Sequence, residues 1–247
     1  MEPAFTLRNL HLGYRGQEVL HVTDLVVPSG GMVFIIGPSG TGKSTLLESV
    51  GLMSNTFLKV DGSKPLLSIE GTAYDPIALW AGPSDRLAAI RRERFSFIFQ
   101  STNLMPNFTI GENIRMAVQD EARSSEDLAG QIASLMESLH LPASILDKAA
   151  HEVSGGQKQR IAFIRALVKR FSILLADEPT GNLDPANSVV LFRVLKEHLV
   201  ALGRTAVVVT HHLDLASEFG DMILEIDPAN GTAMSATVRV RKSAVPA

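Results

Sequence analysis

A glycine-rich run of eight residues constrains the fold of this chain more than any other feature. Residues 37–44 read GPSGTGKS and match the pattern G-x-x-x-x-G-K-[ST]. Glycines in this pattern can take backbone angles closed to residues with a Cβ, so that successive N–H groups curl around phosphate oxygens. Lys43 can then reach the β- and γ-phosphates, and the Ser44 hydroxyl can bind Mg²⁺. The run therefore predicts a phosphate-binding loop.

The flanking sequence supports this interpretation over a glycine-rich turn that matches the pattern by accident. Residues 32–36 read MVFII, a short apolar run typical of a strand that is buried on both faces. Leu46, Leu47 and Val50 follow the loop at helical spacing. The phosphates would then lie at the N-terminus of a helix, where free amides and the helix dipole favour anions.

Composition bounds the class of protein. The chain has 247 residues, of which 45% are apolar, enough for a sizeable core, and we expect residues 1–247 to form a single domain. A formal net charge of −3 argues against a protein that coats nucleic acid, so we expect no nucleic-acid partner. The absence of cysteine excludes disulfides and thiolate metal sites.

No apolar stretch approaches the roughly 20 residues that a membrane-spanning helix needs, and the N-terminus lacks the pattern of a signal peptide. We therefore expect a soluble chain that is not exported, with any membrane role exerted through partners. Two basic clusters, at residues 91–94 and 239–242, are interpreted as solvated faces.

Apolar periodicity predicts a mostly parallel sheet. The predicted strands are residues 6–12, 19–27, 32–36, 66–70, 95–99, 171–176 and 205–209. Residues 54–90 are rich in Gly, Pro, Ser and Asp and predict a peripheral sheet with loops, whereas residues 110–170 predict helices. Helical spacing is clearest at Leu128, Ile132, Leu135, Met136 and Leu139. Strands that alternate with helices place their carboxyl ends around a common ligand crevice.

Polar residues follow two of the buried strands directly. Asp177 is positioned to anchor Mg²⁺, and Glu178 could act as a general base on water. The alternative for Glu178 is a surface acid that caps the next turn. His211 could bond the γ-phosphate and orient the water, although a single histidine at a strand end is more often structural.

Residues 154–157, Ser-Gly-Gly-Gln, form a second glycine-rich helix start. Ser154 can cap the helix, while Gly155 and Gly156 let an anion approach the free amides. One nucleotide does not need two such helix starts from one chain. This observation predicts a second copy of the chain in the functional assembly.

Taken in order, these motifs resemble the nucleotide-binding subunit of ATP-binding cassette (ABC) transporters over essentially the whole chain. The ordered set is the phosphate loop, Gln100 after Phe-Ile-Phe, residues 154–157, Ala-Asp-Glu-Pro-Thr at 176–180, Gly-Asn-Leu-Asp at 181–184, and His211. The resemblance implies an α/β phosphate-loop NTPase fold with a mostly parallel core sheet, an N-terminal antiparallel β lobe and a helical lobe near residues 101–170. It also implies ATP and Mg²⁺ as cofactors, and a head-to-tail dimer.

The resemblance implies specific roles for the site residues. The residues expected to be catalytic are Glu178, His211, Lys43 and Gln100. Those expected to hold nucleotide are Tyr14, Gly37, Pro38, Ser39, Gly40, Thr41, Gly42, Lys43, Ser44, Thr45, Ser154, Gly155, Gly156, Gln157 and Asp184. Those expected to hold the metal are Ser44, Gln100 and Asp177. Among these, Tyr14 would stack on adenine, Gln100 would relay to the transport partner, and Asp184 would link the two sites of the dimer.

Within the family, residues 100–106 and 176–184 are most similar to the branch of lipoprotein-releasing, macrolide-exporting and cell-division ATPases. The partners implied are integral membrane permease subunits, which would place the chain in the cytoplasm on the inner face of the cell membrane. Two departures are Val153, where the family usually has Leu, and a longer segment at residues 54–80. The alternatives are a soluble ABC ATPase that acts on DNA or ribosomes, and a kinase, which would leave residues 154–157 without a purpose.

Overall fold

Two β-sheets and eight α-helices organise the part of the chain that the computed structural model describes, residues 2–228 and 236–242. The strands are β1 (Pro3–Tyr14), β2 (Gln17–Pro28), β3 (Gly31–Ile36), β4 (Leu66–Ile69), β5 (Thr72–Tyr74), β6 (Phe95–Ile98), β7 (Ile173–Asp177), β8 (Thr205–Val209), β9 (Met222–Pro228) and β10 (Ala236–Lys242). The helices are α1 (Lys43–Val50), α2 (Pro76–Ala81), α3 (Ser84–Arg94), α4 (Ile110–Arg115), α5 (Ser125–Ser138), α6 (Gly155–Val168), α7 (Pro185–Leu202) and α8 (Leu213–Phe219). Short 3₁₀ turns lie at Met116–Val118, Ala143–Asp147 and Ala150–Glu152.

The larger sheet has the strand order β10-β9-β3-β8-β7-β6. Its strands from β9 to β6 are parallel, and β10 pairs antiparallel with β9. Successive side chains of β3 alternate between the two faces, with Phe34 packing in one core cluster and Val33 and Ile35 in the other. Because both faces are covered, β3 carries no polar side chain and β7 and β8 carry one each at an end, as is typical of buried parallel strands. The predicted parallel core sheet is confirmed.

The smaller sheet is antiparallel, with the strand order β2-β1-β4-β5. Its first hairpin turns at Arg15 and Gly16, whose φ angles of 52° and 80° are those of a type I′ turn. The strands are longer than predicted, because pairing continues from Pro3 to the turn at Tyr14. This sheet is the N-terminal antiparallel lobe that the sequence predicts.

Helices α4, α5 and α6 lie where the sequence predicts helical structure. In α5 the apolar stripe buries Ile132, Leu135 and Met136 against the core. Helix α4 begins at a reciprocal cap in which the Thr109 hydroxyl accepts from the Glu112 amide and the Glu112 carboxylate accepts from the Thr109 amide.

The prediction of a peripheral sheet with loops for residues 54–90 was wrong in its second half, which contains α2 and most of α3. Helix α2 starts because the Asp75 carboxylate accepts hydrogen bonds from the amides of Ile77 and Ala78, at 2.9 and 3.2 Å. Helix α3 buries only Leu87 and Ile90. Its remaining residues are mostly polar, so its sequence shows little apolar periodicity.

The interpretation of residues 91–94 as a solvated face was also wrong in part. Arg91 is half-buried and donates to the Leu52 carbonyl at 2.7 Å, and Arg94 pairs with Glu70 at 2.5 Å. Only Arg92, of the three arginines, is exposed. The side chains of the second cluster, at residues 239–242, lie outside the described part of the structure. Of the described helices, none combines the length and the apolar character that crossing a bilayer requires.

Candidate nucleotide site

Four predicted site segments follow the carboxyl ends of parallel strands. The phosphate loop follows β3, Gln100 follows β6, Asp177 ends β7, and His211 follows β8. Strands β3, β8, β7 and β6 are consecutive neighbours in the sheet, and Asp177 pairs in register with Val209. These segments therefore meet at the edge of the sheet where the sequence predicts a ligand crevice.

The phosphate loop adopts backbone angles that depend on glycine. Gly37 and Gly42 have φ angles of 147° and 92°. A Cβ on Gly37 would lie 2.4 Å from the Ile226 carbonyl oxygen, so any other residue would displace β9. The Lys43 ammonium donates to the carbonyls of Gly37 and Pro38 at 2.9 and 2.7 Å. Its positive charge therefore lies at the loop itself.

Oxygen ligands suited to a hard cation meet beside this loop. The Ser44 hydroxyl lies close enough to the Asp177 carboxylate to lower its pKa. Burial raises the pKa of Asp177, an effect opposed by the Ser44 hydroxyl and reinforced by the nearby carboxylates of Glu178 and Glu48. A divalent cation would offset this desolvation and repulsion. The donor set thus fits Mg²⁺, which usually takes one or two protein oxygens together with substrate phosphate oxygens and water.

Glu178 lies in a strained turn and contacts a histidine. Its φ of 45° is in the left-handed region, which non-glycine residues adopt at a cost of about 1–3 kcal/mol. Its Oε2 lies 2.9 Å from Nδ1 of His211, with 17% of the Glu178 side chain and 63% of the His211 side chain exposed. The structure thus brings the predicted base together with His211, and the open histidine leaves space for a reactant.

Tyr14 ends β1 beside the phosphate-loop helix and is 43% exposed. Its hydroxyl donates to Oε2 of Glu48 on α1 at 3.1 Å. Burial, together with the negative charge of Glu48, raises the pKa of this phenol. Glu48 was not predicted, since a single acid in a helix gives no signal of this contact. The bond fixes the ring beside the loop with part of its surface open.

The helix start at residues 154–157 is capped internally. The Ser154 hydroxyl accepts from the Gln157 amide at 3.3 Å, and the Gln157 side-chain oxygen accepts from the Ser154 amide at 3.0 Å. Val153, at the position where the family usually has Leu, is buried and therefore still packs as an apolar residue before the helix. Ser154 and Gly155 are exposed. These hydrogen bonds are made within residues 154–157, and the helix start remains exposed to solvent.

Asp184 caps α7, where its carboxylate accepts from the backbone amide of Asn187 at 2.9 Å. Hydrogen bonds from Asn187 lower the pKa of Asp184. Gln100 is exposed, and the loop after it is held by Arg165, whose guanidinium donates to the carbonyls of Thr102 and Asn103 at 2.8 and 2.7 Å. Arg165 was missed, although a charged residue among the apolar positions of α6 is a readable signal.

We expect Asp177→Asn to raise the melting temperature of the protein without nucleotide or divalent cation at pH 7. Because folding raises the pKa of Asp177, the ionised carboxylate destabilises the folded state. This loss of folding stability grows as pH rises through the folded-state pKa. The amide removes the charge. Thermal unfolding followed by circular dichroism should show a melting temperature above that of the wild type, with a difference that becomes smaller as pH is lowered. Asp61→Asn, at an exposed position, should leave the melting temperature unchanged, and a lower value for Asp177→Asn would contradict the electrostatic account.

A phosphate loop after the central parallel strand β3, with carboxylates at the end of β7, which β8 separates from β3, defines the chain as a phosphate-loop NTPase. The family described as ABC transporter matches residues 20–181, and the chain belongs to that family.

Two curated relatives illustrate the similarity. The lipoprotein-releasing system ATP-binding protein LolD 2 of Caulobacter vibrioides is 36% identical over 219 residues, which cover 87% of this chain and 91% of the relative. The macrolide export ATP-binding/permease protein MacB of Agrobacterium fabrum is 35% identical over 246 residues, 98% of this chain but 36% of that longer protein. The chain therefore matches the branch that the sequence predicts.

Among solved structures, a dimeric post-hydrolysis state of an ATP-binding cassette bound to ADP and Pi superposes with a TM-score of 0.80 at 28% identity. The superposition covers 96% of this chain and 98% of that chain. The fold prediction is confirmed, and the chain is an ATP-binding and ATP-hydrolysing subunit of a membrane ABC transporter.

Proposed function

We propose that two copies of this chain close head to tail on ATP, so that each nucleotide lies between the phosphate loop of one copy and residues 154–157 of the other. The observation that supports this most is the exposed, self-capped start of α6, whose free amides are available to an anion outside its own chain. The similarity to a dimeric cassette favours the same arrangement. Asp184, exposed at the start of α7, would lie near the dimer contact and link the two sites.

Within each site, the loop amides and Lys43 bind the phosphates, and the exposed part of the Tyr14 ring stacks on adenine. Ser44, Asp177 and Gln100 would hold Mg²⁺. When bound, the ion would neutralise charge on the β- and γ-phosphate oxygens.

Glu178 accepts the proton of the attacking water, which it can do because it directly follows β7 and its carboxylate lies near that of Asp177, the proposed metal ligand. His211, 2.9 Å from that carboxylate, bonds the γ-phosphate and orients the water. The left-handed backbone of Glu178 ends the face-to-face alternation of β7, and its side chain contacts His211, which follows β8. The turn therefore prepares the base before nucleotide arrives.

The membrane partner is an integral permease that receives the closing motion through the helical lobe, residues 101–170, and this contact would hold the chain at the inner face of the cell membrane. The named relatives are transporter components that act in lipoprotein release and macrolide export. Their similarity favours work at the cell envelope over an action on DNA or ribosomes.

A mixture of two inactive variants tests the shared site. Lys43→Ala removes the loop cation, and Ser154→Arg blocks the helix start that serves the partner's nucleotide. In a mixed head-to-tail dimer one composite site carries both lesions and the other carries neither. Steady-state ATP hydrolysis of the mixture should therefore exceed that of either variant alone.

A mixture of Lys43→Ala with Glu178→Gln is the matched control, since both residues serve the nucleotide of their own chain and each mixed site keeps one lesion. This control should show no recovery. Equal rates for the two mixtures, or a wild-type rate of hydrolysis that is independent of protein concentration in a strictly monomeric sample, would contradict the composite site.

A further inference from the structure

A buried glutamine on α6 contacts the turn that holds the proposed base. Gln159 is 0% exposed, and its side-chain nitrogen donates to the backbone carbonyl of Pro179, the residue after Glu178. Its side-chain oxygen lies 3.5 Å from the side-chain nitrogen of Asn182. Gln159 takes no part in the proposed binding of nucleotide or in the proposed proton transfer.

The turn needs an external constraint. Glu178 has a φ of 45°, and strain of this kind persists only where surrounding contacts over-determine the conformation. On one side the Glu178 amide donates to the Val209 carbonyl at 3.0 Å, which ties the turn to β8. On the other side the carbonyl of buried Pro179 accepts from Gln159. A buried carbonyl requires such a partner, so the glutamine fixes the direction of the Pro179–Thr180 peptide, which begins one residue after the base.

The same helix approaches the chain just after the turn. A Cβ on Gly156 would lie 3.4 Å from a methyl carbon of Leu183 and 3.6 Å from the Asn182 carbonyl oxygen. Helix α6 therefore packs on both ends of the segment from Pro179 to Leu183. Gln159 makes a polar contact inside this packing, four residues beyond Gly155, which is exposed at the helix start.

We propose that Gln159 is a positioning residue for hydrolysis, whose buried amide holds the Glu178–Pro179 turn and thereby aims the Glu178 carboxylate of its own chain. This role rests on the proposed function, because it takes Glu178 as the base. It acts in the chain that carries it, unlike residues 154–157 on the same helix, which serve the partner's nucleotide.

Gln159→Met tests the role because methionine keeps the length and volume of the side chain and removes the amide. We expect kcat for ATP to fall by about 10-fold or more, since small displacements of a catalytic group have effects of this order. KM for ATP should stay within about twofold of the wild-type value, because the phosphate loop is unchanged.

Gln131→Met is the matched control: the Gln131 amide also donates to a backbone carbonyl, that of Leu167 at 3.3 Å, but far along α6 from the turn. Its kcat should be close to that of the wild type. If Gln159→Met gives no folded protein, Gln159→Asn replaces it, because the shorter side chain retracts the amide from the Pro179 carbonyl.

Single-turnover hydrolysis in a Glu178→Gln background identifies the residue through which Gln159 acts. Once the carboxylate is absent, Gln159→Met should change the residual rate by less than about twofold. Persistence of the full loss in that background, or a folded Gln159→Met with wild-type kcat, would overturn the role of Gln159 alone. A wild-type rate for Glu178→Gln itself would instead overturn the assignment of the base.

Mixed dimers separate an effect in the same chain from one across the dimer. If Gln159 aims the base of its own chain, Gln159→Met should recover activity when mixed with Ser154→Arg and should recover none when mixed with Lys43→Ala. The reverse pattern would show that Gln159 acts on the partner's nucleotide through the start of α6, and would overturn the proposal.

Discussion

Replacing Lys43 by alanine should abolish ATP hydrolysis and weaken ATP binding while the chain still folds. The ammonium lies on the phosphate loop, bonded to the carbonyls of Gly37 and Pro38, and it is the charge in the loop that can meet the β- and γ-phosphates. Its loss leaves the phosphate charge uncompensated at that position. Hydrolysis followed by phosphate release, with binding followed by a fluorescent ATP analogue, measures both effects.

Two further variants make this result specific. Lys59→Ala removes an exposed lysine outside the site and should hydrolyse ATP at the wild-type rate. Circular dichroism of Lys43→Ala should match the wild type, because the loop bonds of Lys43 contribute little to the core. Wild-type turnover in a folded Lys43→Ala protein would overturn the assignment of the phosphate loop.

Glu178→Gln should lower the rate of hydrolysis by about 10²-fold or more, the lower range for loss of a general base. The amide keeps the shape of the side chain and can still bond His211, but it cannot accept the proton of water. ATP binding should survive, since the phosphate loop and Lys43 are intact. The variant should therefore separate binding from chemistry.

Glu126→Gln makes the same chemical change at an exposed position on α5 and should leave the rate unchanged. Asp177→Asn should differ from Glu178→Gln by weakening the binding of Mg²⁺, so that hydrolysis needs a higher Mg²⁺ concentration, as well as by lowering the rate. Normal hydrolysis by Glu178→Gln would show that another group activates the water.

Core strands of this fold such as β3 and β8 could be predicted from the sequence because each is a short apolar run that ends at polar residues or glycine. Strand β8 begins and ends at the predicted residues 205 and 209, and β3 differs by one residue. Both are buried on two faces, so their apolar runs are sharply bounded. Helix α3 was missed because its stability comes from two buried side chains and from contacts made by Arg91 and Arg94, which no local pattern reveals.

The features of the candidate site likewise fall into those that the sequence predicted and those that it did not. Strand ends and glycine spacing predicted the convergence of the phosphate loop with Asp177, Glu178 and His211. The left-handed backbone of Glu178 and the bond from Gln159 to Pro179 were not predicted, because both depend on packing between segments distant in sequence. Gln159 lies four residues before Phe163 and so on the same face of α6, and a glutamine at an otherwise apolar position was a readable signal.

The mass of Glu178→Gln in solution tests the closure of two chains on ATP most directly. Because closure depends on the γ-phosphate and reopening on its loss, blocked hydrolysis should trap the closed state. Size exclusion with light scattering should give twice the monomer mass with ATP and Mg²⁺, and the monomer mass with ADP or after a further Ser154→Arg substitution. A monomer in saturating ATP, at a protein concentration where the wild type hydrolyses ATP, would contradict the proposed mechanism.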